Sequence, residues 1–383
     1  MTTTRLGFVM AGILALALLA LGTISAMASP LGAGDPAKGK YIMAINGGCG
    51  CHGPDHAGFK PGVPPNQSGS IFQGPFGTVT AKNITQDKNT GEGNWTDAQM
   101  INAIRNGVDN EGKQLFPIMP YNSFHFMSDA DVNDLVAYLR TLPPVSNNVP
   151  ENKLNGPVPA PPSLPPSPPV APAGGVARGA YLVNAIAICG DCHTPMLPNG
   201  SPDMSKMLAG GKVQTGPTTF EVAPNLTPDK VTGIGNWTDA QILAVLKTGT
   251  KPTGTMVKGL MLDQVMGTPL PGGGYNQLTD TDAQAIVAFL RTIHPVSNDA
   301  ATGAGFELGF KTMSDMIPDI VGLPLEGEHG LPNGDTVQAT TGGLLVWRKA
   351  DNITAFTNGY MTWINGPNGL QQRLNTQRLT WER

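Results

Sequence analysis

Residues 189–193 read Cys-Gly-Asp-Cys-His. The C-x-x-C-H spacing is the attachment signature of a c-type haem. Two thiols separated by two residues can each add to one vinyl group of the porphyrin. The adjacent His193 then lies under the iron and offers an imidazole nitrogen as proximal ligand. Two other chemistries use C-x-x-C: a redox dithiol and half of a zinc site. The dithiol wants a thioredoxin-like βαβ setting, which the flanking sequence lacks. The zinc site wants a second Cys or His pair at ligand spacing. The other cysteine pair of the chain, Cys49 and Cys51, is itself followed by His52.

That second motif, Cys49-Gly50-Cys51-His52, is one residue short. The deletion lies between the two cysteines, because Tyr41 and Cys49 recur 140 residues later whereas Cys51 and His52 recur 141 residues later. Three outcomes stay open for it: two thioethers in altered geometry, one thioether through Cys51, or no covalent bond. The expectation is a bound haem with at least Cys51 attached.

A haem in an electron carrier needs a second axial ligand, and an internal repeat nominates it. Asn83-Ile-Thr-Gln-Asp…Gly-Asn-Trp95-Thr-Asp-Ala-Gln99 recurs 142 residues on as Asn225-Leu-Thr-Pro-Asp…Gly-Asn-Trp237-Thr-Asp-Ala-Gln241. Arg140-Thr-Leu-Pro-Pro-Val-Ser-Asn147 recurs as Arg291-Thr-Ile-His-Pro-Val-Ser-Asn298. Met119, in Phe-Pro-Ile-Met-Pro-Tyr, has Met261 at the same 142-residue offset, while Met256 and Met266 are out of register. Met119 and Met261 are therefore the expected sixth ligands. A thioether favours ferrous iron and raises the potential. A closed His/Met pair leaves no open iron position. His56 and His125 are the alternatives to Met119. Otherwise His56, His125, His294 and His329 read as loop or surface residues, and Trp95 and Trp237 as residues packed beside the porphyrin or in an ordinary core.

The elements that position these groups also come in two sets. A first helix precedes each motif, with Tyr41 and Tyr181 in matching places. A second begins at Thr96 or Thr238, each with Gln three residues on in a capping-box pattern, and ends near Gly107 or Gly249. A last helix begins at Ser128 or Thr279, with Val132, Leu135, Val136 and Leu139, or Ile286, Val287 and Leu290, at helical spacing. Long loops join them, in keeping with 49 Gly and 35 Pro in 383 residues. Such loops fit a domain in which a large flat cofactor supplies part of the core.

The chain thus reads as mainly α: domain 1 over 35–147 and domain 2 over 176–298. Between them, 148–175 is Pro-rich, with nine prolines in residues 157–172. That composition predicts a semi-rigid polyproline II spacer able to span about 50 Å at ~3.1 Å per residue. Residues 299–330 read as a second linker. Over 331–383, apolar runs alternate with Gly342-Gly343, Asn358-Gly359, Asn365-Gly366 and Asn368-Gly369, which predicts a small all-β module. Trp347, Trp363 and Trp381 are expected to form its core rather than a sugar- or partner-binding surface.

At the N-terminus, an apolar run from Leu6 follows Arg5 and ends at Ala26-Met27-Ala28, an A-x-A pattern. Residues 1–28 are expected to be a cleaved signal peptide or, since the run is about the ~20 residues a span needs, a membrane anchor. Either places the body in the periplasm or on the outer face of the cytoplasmic membrane. The net charge of −4, without a basic tract, excludes nucleic acid as the expected partner.

Taken together, residues 35–147 and 176–298 resemble class I cytochrome c domains. They are similar to those of the cytochrome subunits of bacterial membrane-bound alcohol and gluconate dehydrogenases. The resemblance rests on Cys189, Cys192 and His193, the block at 225–237, and Met119 in Pro-Ile-Met-Pro-Tyr. It implies two haem c groups held by Cys49, Cys51, Cys189 and Cys192, with iron bound by His52, Met119, His193 and Met261. It also implies electron transfer between a dehydrogenase and a terminal oxidase or a small cytochrome or copper protein. Such subunits usually carry three haem domains; this chain carries two and a β module. Two other readings remain: a dihaem oxidoreductase with an open site, such as a peroxidase or thiosulfate dehydrogenase, and an envelope-binding protein carrying haem domains.

Overall fold

The capping boxes are present in both copies of the repeat. The Thr96 and Thr238 hydroxyls accept from the backbone N–H of Gln99 and Gln241, and each glutamine side chain accepts from the N–H of its threonine. Both helices stop at a left-handed glycine, Gly107 or Gly249, where a residue lacking Cβ meets no penalty. The computed structural model describes residues 34–381 apart from 75, 198–200, 212, 216–219, 268–272, 299–305, 323, 325, 326, 332 and 341. The signal peptide or anchor expected over 1–28 lies outside the described residues. Among those described, no helix is long and apolar enough to cross a membrane.

In chain order, the first copy holds α1 (Pro36–Ile45), the short strands β1 (Ile71–Gly74) and β2 (Gly77–Thr80), then α2 (Asp97–Asn106), α3 (Tyr121–Phe124) and α4 (Asp129–Leu139). Strand β3 (Lys153–Leu154) pairs with β2. The second copy holds α5 (Gly175–Tyr181), continued by a wider turn over Leu182–Ile186, then α6 (Cys189–His193), β4 (Val213–Thr215) and β5 (Phe220–Val222). Helices α7 (Asp239–Thr248), α8 (Gly259–Met266) and α9 (Asp280–Thr292) complete it.

In each copy the first helix crosses the last at a glycine. A Cβ on Gly39 would lie 1.9 Å from the Asp134 carbonyl oxygen, and one on Gly179 would lie 1.9 Å from that of Ala285. Only glycine lets α1 and α5 press against the backbones of α4 and α9 so closely. Ile42, Ile45, Val132, Leu135, Val136 and Leu139 are buried at the first crossing, and Val183, Ile186, Ile286, Val287 and Leu290 at the second. All belong to one apolar cluster that runs through both copies.

The copies are joined reciprocally. Tyr181 on α5 donates to the Asp131 carboxylate (2.6 Å) and accepts from the Ser128 N–H (2.9 Å), at the N-terminus of α4 in the other copy. Tyr41 on α1 does the same at α9, donating to Asp282 (2.7 Å) and accepting from the Thr279 N–H (3.3 Å). Arg178 adds a two-pronged ion pair to Asp282, at 2.9 and 3.0 Å. Burial and the facing carboxylate push the Tyr41 phenol up to about 12, and the same causes raise Tyr181. Both therefore remain hydroxyl donors across the physiological range.

The Pro-rich segment is not a spacer held away from its neighbours. The Pro168 and Pro169 carbonyls accept from the N–H groups of Asp129 and Ala130 at the start of α4 (2.9 and 3.3 Å), and His125 donates to the Pro165 carbonyl (2.8 Å). Upstream, the Thr80 hydroxyl donates to the Pro150 carbonyl at 2.8 Å. A polyproline strand leaves every carbonyl free, while the first turn of a helix leaves its N–H groups unpaired. The two needs cancel, and the segment lies strapped along the first copy.

The stretch leading into the C-terminal module also differs from expectation. Strands β6 (His329–Gly330), β7 (Thr336–Thr340), β8 (Gly343–Arg348), β9 (Ile353–Thr357), β10 (Met361–Gly366) and β11 (Gly369–Leu374) form an antiparallel meander. Helix α10 (Leu308–Met316), followed by α11 (Pro318–Val321), occupies part of the expected 299–330 linker. Phe310 and Met313 of α10 bury themselves against Leu345, Phe356 and Trp363. A sheet needs a cover for its apolar face, and Phe310, Met313 and Ile317 at helical spacing supply it. Trp363 is core, Trp347 packs beside it, and the Trp381 indole donates to Gln371. Asn365-Gly366 lies within β10, and the last turn is Pro367-Asn368, since Gly366 pairs with Gly369.

Replacing Tyr181 by Phe leaves the buried Ser128 N–H and the Asp131 carboxylate without their shared partner. The variant is expected to lose about 1–3 kcal/mol in urea unfolding. An unchanged midpoint would remove this bond from the account of how the copies are held.

Candidate functional site

Helix α6 is a single turn. It opens at Ile188, which is left-handed at φ 44°, and it carries Cys189, Cys192 and His193. Residues three and four apart in a helix share a face, so both thiols and the imidazole project together. All four cysteines of the chain are free thiols. Burial pushes Cys189 and Cys49 up to about 12, and raises Cys51. Thiols held protonated are unsuited to dithiol exchange, which needs a thiolate. Among the described residues no group of three or more His, Cys, Asp and Glu side chains stands close enough to hold a metal, so the zinc alternative finds no partners.

His193 is 7% exposed, and its Nδ1 lies 2.8 Å from the carbonyl oxygen of Pro224. A carbonyl only accepts, so Nδ1 carries the proton and Nε2 carries the lone pair. In the first copy His52 Nδ1 lies 2.7 Å from the Lys82 carbonyl, the equivalent position. Burial holds both imidazoles below the usual histidine range, hence neutral. A buried neutral imidazole with its far nitrogen oriented by a backbone carbonyl is the form a proximal iron ligand takes.

The repeated Asn-x-Thr blocks do not reach the site; they hold the loop that carries these carbonyls. The Asn225 side chain follows Pro224 directly and donates to Thr232 Oγ1 (2.9 Å) and the Val296 carbonyl (2.8 Å). Asn83 donates in the same way to Thr90 Oγ1 (3.1 Å) and the Val145 carbonyl (2.8 Å). Arg291 and Arg140 close the frame, pairing with Asp239 and Asp97 and donating to the Trp237 and Trp95 carbonyls. The most recognisable residues of the repeat are thus a hydrogen-bond frame behind the histidines.

The methionines follow the second helix of each copy. Matching backbone bonds, Leu115 to Gly107 and Val257 to Gly249, hold the two loops in the 142-residue register. Met119 sits in an irregular stretch before α3, and Met261 in the first turn of α8. Both are half-buried against the shared apolar cluster, as are Trp95 and Trp237, whereas Met256 and Met266 are about 40% exposed. Of the other histidines, His294 and His329 are exposed; His125 is tied to the Pro-rich strap, and His56 contacts the Gly48 carbonyl (3.1 Å).

Two residues near the motifs went unread. Tyr275 is buried beside Cys189 and donates to the Ala187 carbonyl at 3.3 Å. Glu92 stands where the second copy has the buried Ile234, and its charge helps raise the Cys49 thiol. The contrast of Glu with Ile inside an otherwise matching block was the available signal.

Free thiols, oriented imidazoles and a thioether in each copy fit a haem c. A helical fold of this kind around C-x-x-C-H defines the class. The family described as cytochrome c matches residues 36–143. The chain is 33% identical over 273 residues to a diheme cytochrome c-type protein of Cereibacter sphaeroides, covering 68% of this chain and 86% of that one. It is 32% identical over 284 residues to the fructose dehydrogenase cytochrome subunit of Gluconobacter japonicus, covering 70% of this chain and 55% of that one. It is 31% identical over 283 residues to the cytochrome c subunit of the quinone alcohol dehydrogenase of Gluconacetobacter polyoxogenes, covering 68% and 56%. The chain belongs to the cytochrome c family. It spans about half the length of the two dehydrogenase subunits.

Burial pushes the Glu92 carboxyl up to about 7, against the opposing pull of Arg140. The folded chain therefore keeps this proton between about pH 4.5 and 7 while the unfolded chain releases it, so stability from this group falls as pH rises through that window. Glu92→Gln is expected to gain on the parent protein progressively from pH 4.5 to 7 in denaturant midpoints and to hold a constant advantage above. Parallel curves would show that Glu92 is not the source.

Proposed function

We propose that the chain is a dihaem c-type cytochrome that transfers electrons outside the cytoplasmic membrane. Two tandem cytochrome c domains, over 35–147 and 176–298, each hold one group. Cys189 and Cys192 would attach the second haem, and His193 and Met261 would bind its iron; His52 and Met119 would serve the first, at Cys49 and Cys51. The observation that carries this reading is the matched pair His52–Lys82 and His193–Pro224, two neutral imidazoles, each beside a cysteine in sequence and each held by the equivalent backbone carbonyl.

Haem c supplies one-electron exchange at iron. The residues do the rest. The backbone carbonyls keep Nε2 available, the thiols would hold the porphyrin, and Met119 and Met261 would each offer a thioether to its iron. Half-burial of the methionines limits water at the site, which favours the reduced, less charged state. The reciprocal Tyr41 and Tyr181 bonds hold the two domains in one arrangement, so that the path between the sites has a constant length.

The donor we propose is a dehydrogenase, because relatives carry the names of fructose and alcohol dehydrogenase cytochrome subunits. The acceptor would be a terminal oxidase or a small redox carrier. Export across the membrane follows from the expected N-terminal signal or anchor.

Met261→Ala and Met119→Ala are each expected to remove about half of the weak absorbance band that sulfur-to-iron ligation gives, and to lower the midpoint potential of one haem only. Retention of the full band in either variant would reject that methionine as ligand.

A further inference from the structure

The two motifs differ by the residue missing between Cys49 and Cys51, and the backbone shows how the gap is accommodated. At about 100° per helical residue, side chains three apart point to one side and side chains two apart point to nearly opposite sides. Cys189 and Cys192 share the face of α6 for the first reason. A helical Cys49-Gly50-Cys51 would separate its thiols, and one alone could reach a porphyrin edge. The first copy does not form that helix. Gly47, Gly48 and Cys49 are all left-handed, at φ 82°, 69° and 53°, and a tight turn begins only at Gly50. For two glycines that conformation is cheap, but a residue bearing a Cβ adopts it only where its surroundings hold it there.

The left-handed residue is the cysteine itself, and its hydrogen bonds hold it. Gly50 N–H donates to the Gly47 carbonyl at 3.2 Å. His52 N–H donates to the Cys49 carbonyl at 2.9 Å, and Ser70 N–H to the Cys51 carbonyl at 2.7 Å. The two thiols match the regular pair in exposure. Cys49, like Cys189, is half-buried against the shared apolar cluster, and Cys51, like Cys192, is exposed. The two histidines keep equivalent carbonyl partners at 2.7 and 2.8 Å, so the deletion has not displaced the imidazole.

We infer that Cys49 and Cys51 both bond covalently to the first haem, the left-handed turn at Cys49 taking the place of the missing residue. This rests on the reading that the first site binds haem. In each addition the S–H bond and the vinyl π bond break. A carbon–sulfur bond forms at the vinyl carbon next to the ring, and the thiol proton completes a methyl group on the outer carbon. Atoms and electrons balance within thiol and vinyl, and no oxidant or reductant enters. Conformational strain at a bond-forming residue is where such outliers gather.

The full chain, produced in a host that matures c-type cytochromes, tests this. It is unfolded, treated with iodoacetamide and digested, and the peptide holding residues 49–52 is weighed. The expected result is one haem mass and no alkylated cysteine. A haem-bearing peptide with one alkylated cysteine overturns the double attachment while leaving haem binding intact. A peptide without haem and with two alkylated cysteines overturns the underlying reading and the inference with it. A second arm uses Cys49→Ser. Freeing one vinyl is expected to move the pyridine haemochrome band of the first haem to longer wavelength, with the second haem unchanged. A variant that keeps haem at both sites without that shift also overturns the double attachment.

Discussion

Each candidate site depends on one bond, from an imidazole N–H to a backbone carbonyl: His193 to Pro224 and His52 to Lys82. A neutral histidine has one donor and one acceptor nitrogen. Committing Nδ1–H to a fixed carbonyl leaves the lone pair on Nε2 and fixes the orientation of the ring. The carbonyl lies in a loop, and loops do not hold direction unaided. Much of the surrounding architecture is accordingly devoted to that loop: Asn225 and Asn83 tie its far end, and Arg291 and Arg140 lock the following helix to the last one.

The same reasoning accounts for how the copies associate. A domain whose core is partly cofactor has few apolar side chains to spare, and here the two copies share one apolar cluster. Apolar burial is not directional, so it brings the halves together without fixing their angle. The tyrosine bonds are directional. Tyr41 and Tyr181 each donate to a carboxylate and accept from an N–H at the start of the other copy's last helix, and these two contacts set the relative orientation. Arg178 reinforces one of the two, making the junction unequal. The Pro-rich strap adds a third tie from outside, closing the start of α4 with carbonyls that its own prolines leave unpaired.

The C-terminal module obeys different rules. Its meander has neighbouring strands in sequence order, and its core is a helix pressed on one face. Nothing in its composition depends on a cofactor. Phe310, Met313, Leu345, Phe356 and Trp363 suffice to bury one another, which is why Trp363 reads as packing rather than as a recognition surface.

Much of the fold was legible in the amino-acid order. Helix starts at Thr96, Thr238, Ser128 and Thr279 and stops at Gly107 and Gly249 are local, because a cap is made within four residues of chain. The repeat register, and with it the pairing of Met119 with Met261, is equally a matter of counting. Helix α10 was missed because its amphipathic face, Phe310, Met313 and Ile317, is short and sits in a segment with weak capping signals. The strap was misjudged because composition reports stiffness and not what a proline carbonyl will meet. The left-handed turn at Cys49, the Tyr–Asp exchange across the copies and the burial that raises the Glu92 carboxyl all join residues distant in sequence or depend on the path of the backbone. By itself, then, the sequence determined which groups could bind and at what spacing, since that chemistry is local. Where those groups point, and what holds them there, was decided by tertiary structure alone, because direction in a folded chain comes from partners far along it.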